Sequence, residues 1–175
     1  LKYLNHEGRL VSSPESFSNI DRLIFPGVGS FGDCVADLDR KNLRQPILDW
    51  LQADRPFFGI CLGYQVLFEQ SEETPGVEGL GFFTGSVIKF DGGHGLKIPH
   101  MGWNEVNPTD RGFYAWQGTP DPLHLYFVHS FFPKPDDESI INSVTEYGAP
   151  FASCVAEGTI CAGPFHLSLI HICEP

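Results

Sequence analysis

Positive charge is scarce in this chain. Eleven Lys and Arg face 22 Asp and Glu among 175 residues, a net charge of −11, and the sequence pI is near 4.9. A field of that sign repels phosphate backbones and anionic lipid, which sets aside nucleic-acid and membrane-surface roles. Long apolar runs are missing as well: no window reaches the roughly eighteen uninterrupted apolar residues of a membrane span. Nor do the opening residues read as a signal peptide. The five cysteines (Cys34, Cys61, Cys154, Cys161 and Cys173) are an odd number, widely scattered, and form no Cys-x-x-Cys pair. Neither a disulfide framework nor a zinc knot is indicated, and a reduced, cytoplasmic compartment fits best. What remains is 42% hydrophobic and 19% charged, too apolar for disorder and long enough for one buried core.

The ends of the chain are unusual. Leu1 to Gly8 reads as the last turns of a helix, with Gly8 at the left-handed stop. Residues 167–175 carry no turn chemistry and are expected to be a non-native tail, leaving a domain over 1–166. Between the ends, Arg22–Phe25 and Pro56–Ile60 read as apolar strands. Residues 33–53 carry helical spacing, with a second helix expected from Pro46, and Leu62–Glu69 is helical again. That alternation predicts a mostly parallel sheet flanked by helices. After about residue 75 the texture becomes β-rich, with short strands at Phe82-Phe83, 86–90, 103–106, 123–129, 140–147, 151–157 and 159–163. An α/β first half and a β-rich second half make one mixed domain.

The sharpest chemical signal is Gly59-Ile60-Cys61-Leu62-Gly63-Tyr64-Gln65. A Gly-x-Nuc-x-Gly between an apolar strand and a helix is a nucleophile elbow, here with sulfur in place of a serine hydroxyl. The glycines suit a tight turn approached by neighbouring backbone. Cys61 at a helix start is expected to gain thiolate character, and the Leu62 N–H is placed to serve an oxyanion. The bland alternative is a buried structural cysteine. Such a nucleophile needs a base. His166, after the late strand at 160–165, is the best candidate, and His129 is the runner-up. Pro26-Gly27-Val28-Gly29-Ser30-Phe31-Gly32 follows the first strand. It lacks the spacing of a phosphate loop and suits a backbone that presents N–H groups to an oxyanion. His94 and His100 near Asp91 are too poorly spaced for a metal site, and no metal or cofactor is indicated.

These two glycine-rich elements resemble those of the class I (triad) glutamine amidotransferases. The Pro26 run, extended to Asp33, is followed in order by four others: Glu78-Gly79-Leu80-Gly81, Lys97-Ile98-Pro99-His100-Met101-Gly102-Trp103-Asn104, Tyr126-Phe127-Val128-His129-Ser130, and Phe165-His166. Together they are similar to the family of glutaminase subunits of imidazole glycerol phosphate synthase, over residues 1 to 166. The resemblance implies a flavodoxin-like α/β fold and a glutaminase that needs no cofactor. Cys61 would form a glutamyl thioester from glutamine, with His166 as base and acid. Gly27, Val28 and Leu62 would form the oxyanion hole. Gln65, Glu73, His129, Ser130 and Phe131 would hold the amino and carboxylate ends of glutamine. Lys97, His100, Met101, Trp103 and Asn104 would face a (β/α)8-barrel synthase subunit. That partner would use the ammonia to make imidazole glycerol phosphate and AICAR in histidine biosynthesis.

Two departures stand against the family pattern. The family follows its catalytic His with Pro-Glu, where this chain has Leu167 and Ser168. The family's first strand, with its Asp-Tyr-Gly, has no counterpart here. The chain therefore reads as a fragment clipped at both ends. The alternatives are another triad glutaminase, of the pyridoxal-phosphate-synthase type, and a non-catalytic amidotransferase homologue.

Overall fold

The computed structural model describes residues 5–110 and 116–165. The positions of Leu1–Leu4, and of the tail expected from residue 167, lie outside them. Ten strands and three α-helices are present among the described residues. Strand β1 (Leu23–Gly27) leads to helices α1 (Phe31–Arg40) and α2 (Arg44–Gln52), then β2 (Phe57–Cys61) and the single turn α3 (Leu62–Gln65). The remaining strands are β3 (Gln70–Ser71), β4 (Gly85–Lys89), β5 (His100–Pro108), β6 (Leu123–His129), β7 (Phe131–Pro135), β8 (Ile141–Tyr147), β9 (Ala149–Glu157) and β10 (Ile160–Gly163). One seven-stranded sheet has the order β1-β2-β10-β9-β8-β5-β6, and β3-β4-β7 form a smaller sheet.

The expectation of a mostly parallel sheet is corrected here. Only β1–β2 and β2–β10 are parallel in the large sheet; every other pairing there is antiparallel. The cause lies in the turns. Gly148 at φ 74 joins β8 to β9, and Gly158 at φ 54 opens the turn from β9 to β10. Connections that short can only reverse direction, whereas a parallel crossover needs a dozen residues or more. The fold is thus a mixed sheet whose parallel corner carries the elbow.

Several boundaries also move. Asn42, at φ 54, breaks the helical stretch, and α2 starts at Arg44. Pro46 falls in its first turn, where a missing N–H costs nothing. The left-handed residue near the start is Asn5 at φ 54 rather than Gly8. Helix α3 stops at Gln65, and the chain to Glu69 continues as turns. Phe82-Phe83 forms no strand, while β7 was missed because Pro133 and Pro135 argue against pairing. Among the described residues β7 lies at the edge of the smaller sheet and pairs only with β4. The main core gathers Phe31, Val35 and Leu38 of α1, Ile47, Trp50 and Leu51 of α2, and the buried face around Tyr64, Leu67 and Phe68. A second cluster, including Phe90, Phe127, Phe151 and Phe165, lies under the β-rich half.

Candidate active site

Strands β1 and β2 run side by side with Gly27 in register with Cys61. The glycine-rich loop and the elbow therefore leave the sheet at the same edge. Cys61 itself adopts φ 55 and ψ −108, a conformation that costs a non-glycine residue on the order of 1–3 kcal/mol. Its flanking glycines have direct steric causes. A Cβ on Gly63 would lie 1.9 Å from the Phe25 carbonyl oxygen, and one on Gly59 would lie 2.7 Å from the Gly63 oxygen. Gly27 is similarly tight, its Cβ position being 3.0 Å from the Leu62 Cβ. Backbone meets backbone across this corner, so the spacing of the motif follows from packing.

A cleft of about 410 Å³ opens above the elbow. Cys61, Leu62, Val28, Gln65, Glu73, His129, Ser130 and Phe131 all border it, joined by Gly29, Pro99 and Val128. The last three lie in runs read from the sequence but had no site role of their own there. Pro99 and Val128 flank the pairing of His100 with His129 in β5 and β6, and that long-range pairing has no local signature. The Phe131 carbonyl accepts from Gln65 Nε2 at 3.2 Å and from the His129 Nδ1–H at 2.8 Å. The side-chain amide nitrogen of Gln65 is thus held on the wall by the Phe131 carbonyl. Glu73 Oε2 accepts the Phe31 N–H at 2.7 Å. His166, the expected base, lies outside the described residues; β10 ends at Gly163, in register with Ile60.

Electrostatics at Cys61 differ from the expectation of a thiolate. Burial pushes the thiol up to about 11, with the Leu62 N–H pulling it down and the Glu73 carboxylate pushing it up. A single turn of helix does not offset that desolvation. Burial thus favours the thiol over the thiolate, and use of the group as a nucleophile calls for a base to take the proton. Alkylation of Cys61 by iodoacetamide in the described fold should rise about tenfold per pH unit from pH 7 towards 10, since thiolate is the reacting species. Peptide mapping of the alkylated residue checks it. A plateau below pH 8 would mean that another group holds the thiolate.

The expected partner surface is only partly a surface. Alternation along β5 turns Met101 and Trp103 outward, 54% and 48% exposed, while His100 is turned in and only 3% exposed. Lys97 is exposed and Asn104 half-buried. The His100 ring stacks on Tyr147 at 3.9 Å and on Phe127 at 4.8 Å, and burial lowers its pKa to about 4. Its Nε2 accepts from Asn104 Nδ2 at 3.2 Å, and that amide also donates to the Glu146 carbonyl at 2.8 Å. His100 is therefore a neutral core side chain, and its assignment to the interface is withdrawn. Reading the run without its two-residue period concealed this. Among the described residues, no group of three or more His, Cys, Asp or Glu is placed to hold a metal ion. No described helix is long and apolar enough to cross a membrane.

The family profile for glutamine amidotransferase class-I matches residues 4–167. The imidazole glycerol phosphate synthase subunit HisH of Rhodopirellula baltica is 42% identical over 160 residues, covering 91% of this chain and 77% of that protein. HisH of Nitrosococcus oceani is 43% identical over 163 residues, covering 93% and 77%. The chain belongs to the class-I glutamine amidotransferases, among their HisH-type subunits. Solved structures agree on the fold. A glutamine amidotransferase crystal structure superimposes with a TM-score of 0.71 at 18% identity, covering 94% of this chain and 80% of the other. The glutaminase domain of Trypanosoma brucei CTPS, solved with bound acivicin, gives 0.60 at 14% identity, covering 87% and 65%.

Proposed function

We propose that this HisH-type chain is the glutaminase subunit of an imidazole glycerol phosphate synthase, and that the cleft above the elbow is its active site. The observation that carries the proposal is the convergence of Cys61, the Gly27–Ser30 loop and a polar wall on one cleft of substrate size. Glutamine enters with its carboxamide toward Cys61. His166 takes the thiol proton as Sγ attacks the carboxamide carbon. The oxyanion that forms is met by backbone N–H groups of Val28 and Leu62, with Gly27 shaping their approach. On collapse the –NH2 group takes the proton of the imidazolium and departs as ammonia, leaving a glutamyl thioester. Water then attacks that thioester with His166 again as base, releasing glutamate and restoring the thiol. Glutamine and water are consumed; glutamate and ammonia are formed.

Gln65 and Glu73 supply an oxygen and a negative charge for the substrate ammonium. The backbone at His129-Ser130-Phe131 faces its carboxylate. Ammonia passes to a (β/α)8-barrel synthase subunit docked over Lys97, Met101, Trp103 and Asn104. Such an enzyme works in the cytoplasm. Trp103 packs edge-on against Tyr126 at 5.7 Å and is half exposed, the character of an interfacial anchor. Trp103→Ala should weaken binding to the synthase subunit by about tenfold or more and leave the unfolding midpoint unchanged. Titration calorimetry of the two subunits decides it, and unaltered affinity would place the docking surface elsewhere.

The test of the glutaminase assignment uses acivicin, a glutamine-shaped electrophile. Mass spectrometry should find it on Cys61, and excess glutamine should protect. Labelling spread over Cys34 and Cys61 alike, without protection, would favour the non-catalytic alternative.

A further inference from the structure

The first N–H groups of a helix have no partner within it, and in α1 they are satisfied by a different part of the chain. Phe31 N–H donates to Glu73 Oε2 at 2.7 Å and Gly32 N–H to Thr74 Oγ1 at 3.3 Å. Asp33 N–H donates to Ser30 Oγ at 3.2 Å. The Glu73-Thr74 turn is itself tied down. Ser71 Oγ accepts from the Glu73 N–H and the Ser71 carbonyl from the Thr74 N–H, both at 3.2 Å. Ser71 is buried and pairs with Val87 in the smaller sheet. A rigid strand edge thus grips the start of α1 through two side-chain oxygens.

What lies between the gripped points is the loop of the proposed oxyanion hole. Its upstream end is fixed by the pairing of Gly27 with Cys61, its downstream end by the grip on Phe31 and Gly32. In between, Val28 is 83% exposed. Gly29, at φ +115, has no neighbour among the described residues within 4 Å of its Cβ position. Among the described residues none packs against the Gly29 Cβ position in the middle of the loop, so the loop's ends determine where its N–H groups point.

We infer that Glu73 and Thr74 are positioning residues that set the Val28–Ser30 loop over Cys61, and that Thr74 acts without bordering the cleft. The inference rests on the reading of this loop as the oxyanion hole. Glu73 then has two tasks on separate oxygens: Oε2 holds α1 while Oε1 is left to the substrate. Thr74 and Gly32 form a size-matched pair, since a Cβ on Gly32 would lie 2.7 Å from Thr74 Cγ2.

The experiment measures kcat and KM for glutamine in the complex with the synthase subunit, together with Tm. Thr74→Val keeps the shape and removes the acceptor. Its kcat should fall about tenfold, a fraction of the loss for deleting an oxyanion donor outright, with KM unchanged. Thr74→Ser should restore kcat. Gly32→Ala should be slow, and Gly32→Ala with Thr74→Ser faster than Gly32→Ala alone, because serine lacks the clashing methyl. Glu73→Gln retains an oxygen for the Phe31 N–H and loses the charge, so its KM should rise while kcat holds. A lowered Tm with kcat unchanged in Thr74→Val and Gly32→Ala would reduce the turn to a structural cap and overturn the inference. Acivicin separates the two levels. Failure to label Cys61 in the wild type sinks the glutaminase reading and the positioning with it. Labelling that is equally fast in the wild type and in Thr74→Val sinks the positioning alone.

Discussion

Replacing Cys61 with alanine is expected to abolish glutamine-dependent turnover of the assembled synthase while leaving turnover on added ammonium intact. The side chain is small and half-buried, so its loss removes the nucleophile and little packing. The strained φ 55 is borne by the backbone whatever the side chain, and alanine relieves none of the constraint that aims the elbow. Without sulfur no thioester forms, and the oxyanion donors stabilise only direct attack by water. Loss of a nucleophile in triad enzymes costs on the order of 10⁴–10⁶ in kcat. The ammonium arm shows that the synthase subunit is intact, and titration calorimetry of the two subunits separates a dead nucleophile from a broken assembly. Appreciable glutamine-dependent turnover in Cys61→Ala would remove Cys61 from the chemistry. Loss of binding in the calorimetry would instead indicate that the variant no longer docks.

The parallel corner of this fold was legible because each of its features is local. A glycine on either side of Cys61 is required by carbonyl groups within 3 Å of the added Cβ, and sequence spacing records that requirement directly. Strand β6 was legible residue for residue, Leu123 to His129, because its apolar run follows directly on the strand-breaking Pro120-Asp121-Pro122. Direction was harder. Whether β8, β9 and β10 run parallel depends on glycines at 148 and 158, which look like ordinary turn residues until the strands they join are paired. His100 shows the same limit on a smaller scale. Its neighbours Met101 and Trp103 mark a surface, but the strand's alternation places the imidazole among Phe90, Phe127, Tyr147 and Phe151. Glu73 was singled out for substrate, yet its bond to the Phe31 N–H joins residues 42 apart. No periodicity connects them. The thiol of Cys61 is the converse case: helix-start logic was sound in sign and lost to desolvation, because α3 is one turn long and wholly buried.

The second large effect is expected at a residue with no reactive atom. Gly63→Ala should unfold or badly distort the elbow. An added Cβ would sit 1.9 Å from the Phe25 carbonyl oxygen and 2.9 Å from its carbon. Phe25 cannot retreat, because β1 is paired to β2 with Phe25 opposite Gly59. Gly63 cannot retreat either, since Tyr64 beside it is fully buried and its hydroxyl donates to the Ala152 carbonyl at 3.2 Å. Rigid backbone on both sides makes this costlier than ordinary overpacking, about 3–5 kcal/mol. Gly76 supplies the comparison. It sits at φ +85 with no atom of the described residues within 4 Å of its Cβ position, so Gly76→Ala carries backbone strain without a clash, about 1–2 kcal/mol. Urea unfolding of the two variants isolates the steric contribution, and acivicin labelling of whatever Gly63→Ala remains folded reports on Cys61. The expected order is a far larger loss of stability in Gly63→Ala, with labelling abolished. Equal losses, or normal labelling in Gly63→Ala, would mean that β1 yields at this corner. The Gly-x-Cys-x-Gly spacing would then owe nothing to the close approach of Phe25.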